Sequence, residues 1–223
     1  MIRTGNNVKA IYAGTFDPIT NGHLDIIKRS IHFCHELVIG VGVNSKKTTM
    51  FSEMERVKMI GEAVGQTLGP IEEEYGRTFR WSAAPFFGLL VDFAKEQKAN
   101  ILIRGIRSVS DFEYEINLAN INKVLAPEIE TVFLPTSPEL AVVSSSMIKE
   151  IAKHGGDVRR FVTKMVEEAV SSKFGFVKYS NSETNYSEMI KRMSGVSGAC
   201  YPAGLATGPC GSNDMNVKWS KDR

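Results

Sequence analysis

Apolar residues fall along this chain in two rhythms. Continuous apolar runs at residues 8–13 (V-K-A-I-Y-A), 36–43, 99–103 and 130–134 predict strands covered on both faces, with a weaker, shorter one at 78–83. Between them apolar residues recur at steps of three and four. Leu24, Ile27, Ile31 and Cys34 predict a first helix, for which Thr20 and Asn21 are both suitable N-caps. Ser52-x-x-Glu55 is a capping box opening a second helix that runs to about Gly65. Residues 88–97 read as a third helix, and Phe86-Phe87-Gly88-Leu89-Leu90 as core. Ser110-x-x-Glu113 opens a fourth, whose stripe of Tyr114, Leu118, Ile121 and Leu125 is expected to face the core. Ser144-Ser145-Ser146 precedes helices that reach about Lys173, with a break near Gly155-Gly156.

Strands alternating with helices predict an α/β fold: a doubly wound, Rossmann-like, five-stranded parallel sheet with helices on both faces. In such a sheet ligands gather beyond the carboxyl ends of the strands. Residues 1–174 form the expected domain. From residue 175 Gly, Ser, Asn, Thr and Pro dominate, so 175–223 is expected to be an irregular or disordered extension. The acidic stretch at 69–80 reads as a link before the third strand.

Composition narrows the partners. With 43% hydrophobic and 23% charged residues over 223 positions, the chain is of ordinary globular type. A net charge of +2 gives no argument for nucleic acid, so local basic clusters must carry any anion site. No apolar run reaches membrane-spanning length and no apolar signal core opens the chain, making cytoplasm the default location. Cys34 lies on the apolar face of the first helix and reads as a reduced core thiol; Cys200 and Cys210 have no histidine nearby. His32, His35 and His154 lack neighbouring ligands, so no metal site made of side chains is expected.

Each candidate anion-binding motif sits at the carboxyl end of a strand. The first, G-T-F-D-P-I-T-N-G-H (residues 14–23), turns tightly through Gly14, Thr15 and Asp17-Pro18 into a helix start, where free amides and the positive dipole end suit a phosphate. His23 in the first turn is disfavoured as an imidazolium there unless an anion joins it. Lys46-Lys47 follows the second strand; such a pair is commonly solvated, but its position favours anion binding. Arg104-Gly105-Ile106-Arg107 ends the fourth strand with two guanidinium forks about a permissive glycine, against the alternative of plain surface ion pairs. Glu115 and Asn122, seven apart, share one helix face. The serine run 144–146 offers more hydroxyls than one N-cap requires.

These motifs resemble phosphopantetheine adenylyltransferases. Thr20-Asn21-Gly22-His23 is similar to the (H/T)-x-G-H signature of nucleotidyltransferases, and Ser144-Ser145-Ser146-Met147-Ile148-Lys149 to their second signature, I-S-S-S-x-x-(K/R), with Val143 in place of Ile. I-R-G-I-R (103–107) and D-F-E-Y-E (111–115) are similar to that family's own segments. The resemblance covers about residues 8–173; Ala13 replaces a usual proline, and the stretch at 69–80 is longer than usual. It implies adenylyl transfer from ATP to 4′-phosphopantetheine, giving dephospho-coenzyme A and pyrophosphate. It further implies a catalytic set of Thr15, His23, Lys47 and Arg104. ATP contacts are implied at Thr15, Phe16, His23, Gly105, Ile106, Arg107, Glu115 and residues 140–146 (Leu140, Ala141, Val142, Val143, Ser144, Ser145, Ser146). Acceptor contacts are implied at Thr15, Lys47, Leu90, Arg104 and Asn122. Mg²⁺ would be held mainly through ATP phosphates, and the assembly would be a homohexamer. The rivals are a related enzyme using nicotinamide mononucleotide or glycerol phosphate, and a non-catalytic nucleotide-binding regulator.

Overall fold

The computed structural model describes residues 8–44, 47–75 and 78–175. Strands and helices alternate along them: β1 (Lys9–Gly14), α1 (Asn21–Ser30), β2 (Glu36–Gly42), α2 (Glu53–Tyr75), β3 (Arg80–Phe86), α3 (Leu90–Glu96), β4 (Ile101–Ile106), α4 (Val109–Leu125), β5 (Glu130–Pro135), a 3₁₀ turn (Pro138–Leu140), α5 (Ser145–Lys153) and α6 (Lys164–Lys173). The strands pair in parallel in the order β3-β2-β1-β4-β5, the doubly wound arrangement expected. The direction of winding reverses between β1 and β4.

Alternation along the strands divides the core in two. Ala10, Tyr12, Leu37, Ile39 and Ile103 face one buried cluster, filled by Ile26 and Ile27 of α1, Ile60 and Val64 of α2, Ile148 of α5 and Val166 of α6. Ile11, Ala13, Val38 and Leu102 face the other, filled by Val91, Phe93 and Ala94 of α3 with Ala126 and Ile129. Helices therefore cover both faces. Cys34 is buried in the first cluster as a free thiol, and burial pushes its pKa up to about 12.

Several expectations need correction. Helix α2 passes Gly65 and Pro70 and ends at Tyr75. Its stripe of Ile60, Val64, Leu68 and Ile71 continues onto the core, and that burial outweighs the helix breakers. Most of the supposed acidic link is thus helix, and Glu72 accepts the Phe79 amide at 2.7 Å to set the entry to β3. Strand β3 lies at Arg80–Phe86, where each residue pairs with β2, rather than at 78–83. Ser108, not Ser110, caps α4, its hydroxyl accepting from the Asp111 amide at 3.2 Å. Phe87 and Leu89 are exposed, so only part of the segment 86–90 packs as core. The stripe on α4 is not buried: Tyr114 is 63% exposed, Ile121 55% and Leu125 48%, and no residue of α4 is buried. The described residues all lie in one compact unit, Met1–Lys178. The expected extension lies outside them apart from Gly175, whose φ of 72° follows α6.

Candidate active site

A cavity of about 450 Å³ opens where β1 and β4 end. Of the residues expected there, Thr15, Phe16, His23, Lys47, Arg104, Gly105, Arg107, Glu115, Val143, Ser144, Ser145 and Ser146 line it. His23 and Arg104, carried by separate loops, thus face the same space. Leu90, Ile106, Asn122, Leu140, Ala141 and Val142 do not form its wall. Asn122 lies two helical turns beyond Glu115.

The first turn fixes its own geometry. Thr20 is the N-cap of α1. Its amide donates to Nδ1 of His23 at 3.0 Å, and its hydroxyl lies 2.9 Å from the same nitrogen. With Nδ1 accepting, the neutral ring carries its proton on Nε2. The rings of Phe16 and Tyr12 pack near the imidazole, with centroids 5.0 and 6.5 Å away. Burial first, and then the Arg107 charge, lower the pKa of His23 to about 4. At neutral pH it is therefore an uncharged donor. One expected donor is spent: the Asn21 amide gives its hydrogen to the Phe161 carbonyl at 2.8 Å.

Phe16 holds the turn in an unusual shape. Its φ is 49°, a left-handed value that costs a side-chain-bearing residue roughly 1–3 kcal/mol. Its ring folds back over Gly14, where a Cβ would come within 3.1 Å of the ring. Asp17, next in the chain and 2% exposed, accepts the amides of Met50 and Phe51 at 3.0 Å each and pairs with Lys149 at 2.7 Å. One buried carboxylate thereby ties the turn after β1 to the segment before α2 and to α5.

Both arginines of the β4 motif are engaged by carboxylates of α4. Glu115 takes Nε and Nη2 of Arg104 at 2.6 and 2.5 Å, while Nη1 donates to the Ala13 carbonyl at 2.7 Å. Asp111 takes Nε and Nη2 of Arg107 at 2.9 and 3.2 Å. The serine run is also partly committed. Ser144 caps α5, accepting the Met147 amide at 3.1 Å, and Ser145 donates to the Pro18 carbonyl at 2.8 Å. Capping and bracing thus account for two hydroxyls that the sequence reading reserved for an anion, although all three serines face the cavity.

Sequence reasoning missed Tyr12, Thr48, Thr49, Asp111 and Thr136 on the wall. Asp111 had a signal, since it stands four residues after Arg107. Tyr12 had none beyond its place in an apolar strand. Among the described residues no group of three or more His, Cys, Asp or Glu side chains is placed to hold a metal ion.

The model of the cytidylyltransferase-like family matches residues 11–151, a span that runs from within β1 to within α5 and contains the whole first turn. Among solved structures, the fold resembles that of a protein from Vibrio parahaemolyticus described as a nicotinate-nucleotide adenylyltransferase. The TM-score is 0.52 and the identity 14%, covering 78% of this chain and 98% of that one. At that identity the likeness speaks for the fold alone.

Proposed function

The chain belongs to the cytidylyltransferase-like family of nucleotidyltransferases, and on that premise we propose that it transfers the adenylyl group of ATP to 4′-phosphopantetheine, giving dephospho-coenzyme A and pyrophosphate. The observation that carries this reading is the meeting of His23, Lys47, Arg104, Arg107 and the serine loop on one cavity. Adenylyl transfer to a phosphate monoester brings two anions together, and this wall supplies donors and cations from four separate junctions.

A phosphate monoester has its second pKa near ~6 and is ionised at neutral pH, so no general base is required. One of its oxygens forms a bond to the α-phosphorus, and the bond from that phosphorus to the bridging oxygen breaks, with its electron pair leaving on pyrophosphate. Catalysis then rests on alignment and charge stabilisation. The Nε2 hydrogen of neutral His23 and the Thr15 hydroxyl serve the α-phosphate. Lys47 and Arg104 seat the acceptor phosphate, and Arg107 with the serine loop seats the β- and γ-phosphates. Mg²⁺ arriving on the ATP oxygens would neutralise part of the phosphate charge and keep most of its waters.

Incubation with ATP, Mg²⁺ and 4′-phosphopantetheine should release pyrophosphate; no release with this acceptor overturns the reading. A second reading takes as acceptor the nicotinate nucleotide named in the fold neighbour's description. Nicotinamide mononucleotide and glycerol phosphate, with ATP or CTP, complete the panel. ATP binding without turnover on any acceptor would mark a regulator. The uncovered apolar face of α4 supports burial of that face in an assembly; that the assembly is a homohexamer and the location cytoplasmic rests on the family resemblance alone.

A further inference from the structure

Resting on the reading of the cavity as a nucleotide site, we propose that Arg56 is a positioning residue: it grips the Thr15 carbonyl so that the Phe16 amide N–H is presented to the nucleotide's α-phosphate. Arg56 stands in the first turn of α2, is 2% exposed and does not line the cavity. Its Nη1 donates to the carbonyls of Thr15 at 2.7 Å and Gly42 at 3.2 Å, and its Nε reaches that of Ser52 at 3.4 Å. These acceptors are main-chain carbonyls from three segments, with no carboxylate among them. Burying a guanidinium on such partners is unfavourable compared with an apolar side chain of the same volume. The arrangement is explained if the orientation of those carbonyls matters.

The peptide plane says what that orientation does. In a trans peptide the C=O and N–H point in opposite directions. With the Thr15 oxygen drawn towards Arg56 in the core, the Phe16 hydrogen points away from it, and Thr15 and Phe16 both line the cavity. Phe16 keeps a φ of 49° in this state. Turning the peptide over would return φ towards the ordinary negative range and swing the carbonyl into the cavity, where it would repel a phosphate oxygen. Arg56 opposes that flip. Through Gly42 it also fixes the end of β2, from which the Lys47 loop departs.

The test uses full-length protein labelled with ¹⁵N-phenylalanine, titrated with Mg·ATP, as wild type and as Arg56→Met and Arg56→Lys. In the wild type the Phe16 amide resonance should move downfield on saturation. In Arg56→Met it should not respond, and kcat should fall roughly 10²-fold while the acceptor KM stays within about twofold. Arg56→Lys, which keeps a donor near the Thr15 oxygen, should recover part of both. A folded Arg56→Met whose Phe16 amide responds like the wild type overturns the proposal, as does a silent amide in the wild type. Should neither variant fold, Arg56 is a scaffold residue and the proposal also falls. Failure of 4′-phosphopantetheine as acceptor would leave the ATP-induced shift intact, so the two readings fail separately.

Discussion

Glu115 holds Arg104 by two nitrogens, at 2.6 and 2.5 Å, across the junction of β4 and α4. With Nη1 also on the Ala13 carbonyl, one hydrogen on each terminal nitrogen is left for a ligand. The carboxylate thus orients the fork and offsets its charge. The side chains are 21% and 13% exposed, so the pair is more shielded than a surface contact. A double-mutant cycle of Arg104→Ala and Glu115→Ala, read by urea unfolding, should return a coupling of about 1–2 kcal/mol. Additive losses would show the pair to be idle.

His23 is neutral down to a pH of about 4, against 6.5 in the unfolded chain. Its protonation in the free enzyme therefore should not appear in the kcat/KM profile between about pH 5.5 and 8. An acid limb in that window that vanishes in His23→Asn would contradict the uncharged-donor role. His23→Ala should keep the fold and much of the ATP affinity while losing roughly 10²-fold or more in kcat. Stability carries the same sign: from pH 6.5 down to 4 the unfolded chain gains a proton that the folded ring refuses. The contribution of this group to stability thus falls with pH across that window, by on the order of 2 kcal/mol.

Asp17→Asn removes the charge that faces Lys149 and weakens the acceptors of two amides. The expected loss is about 2–3 kcal/mol, seen as a fall in melting temperature of roughly 4–10 °C. A change within a degree would mean that the segment before α2 is held by other contacts.

Ile121→Asp tests the uncovered face of α4. Ile121 is 55% exposed in the protomer, so this change should alter protomer stability by no more than about 0.5 kcal/mol. Light scattering should nonetheless report a smaller particle than the wild type. An unchanged mass would remove the α4 face as an assembly contact.

Chelation tests the proposed role of Mg²⁺. EDTA should abolish pyrophosphate release, and excess Mg²⁺ should restore it. The melting temperature without nucleotide should not move, since among the described residues no cluster of ligand side chains is built for a metal. A drop on chelation would reveal a structural ion.

The strands were legible because a sheet covered on both faces demands unbroken apolar runs, and Ala10–Ala13, Leu37–Val41 and Leu102–Ile103 supply them locally. Periodicity on α4 read differently. It grouped Tyr114, Leu118, Ile121 and Leu125 on one side, but spacing alone does not reveal whether the protomer's own sheet or another surface covers that side. In α2, Gly65 looked like an end because a helix-breaking residue gives no sign of the burial that continues beyond it through Leu68 and Ile71. In the site, each junction exposed its own residue to reading: His23, Lys47, Arg104 and Ser144 stand beside glycines, caps or strand ends. The residues that hold them did not stand out. Asp17 meets Lys149 across 132 positions. Arg56 looks like an ordinary helix charge, although its spacing from Ile60 and Ala63 puts it on the stripe that faces the core.

Placing β1 at the centre of the sheet, flanked by β2 and β4, gives each ligand-facing loop its own strand as a root. On the proposed reading, the turn that manages the reacting phosphorus hangs from the middle, and the loops that greet the second reactant hang from its neighbours. Selection can therefore trade one acceptor for another by editing peripheral loops, leaving the transfer chemistry untouched. Such an architecture lends itself to diversification into enzymes that share a reaction and differ in what they decorate.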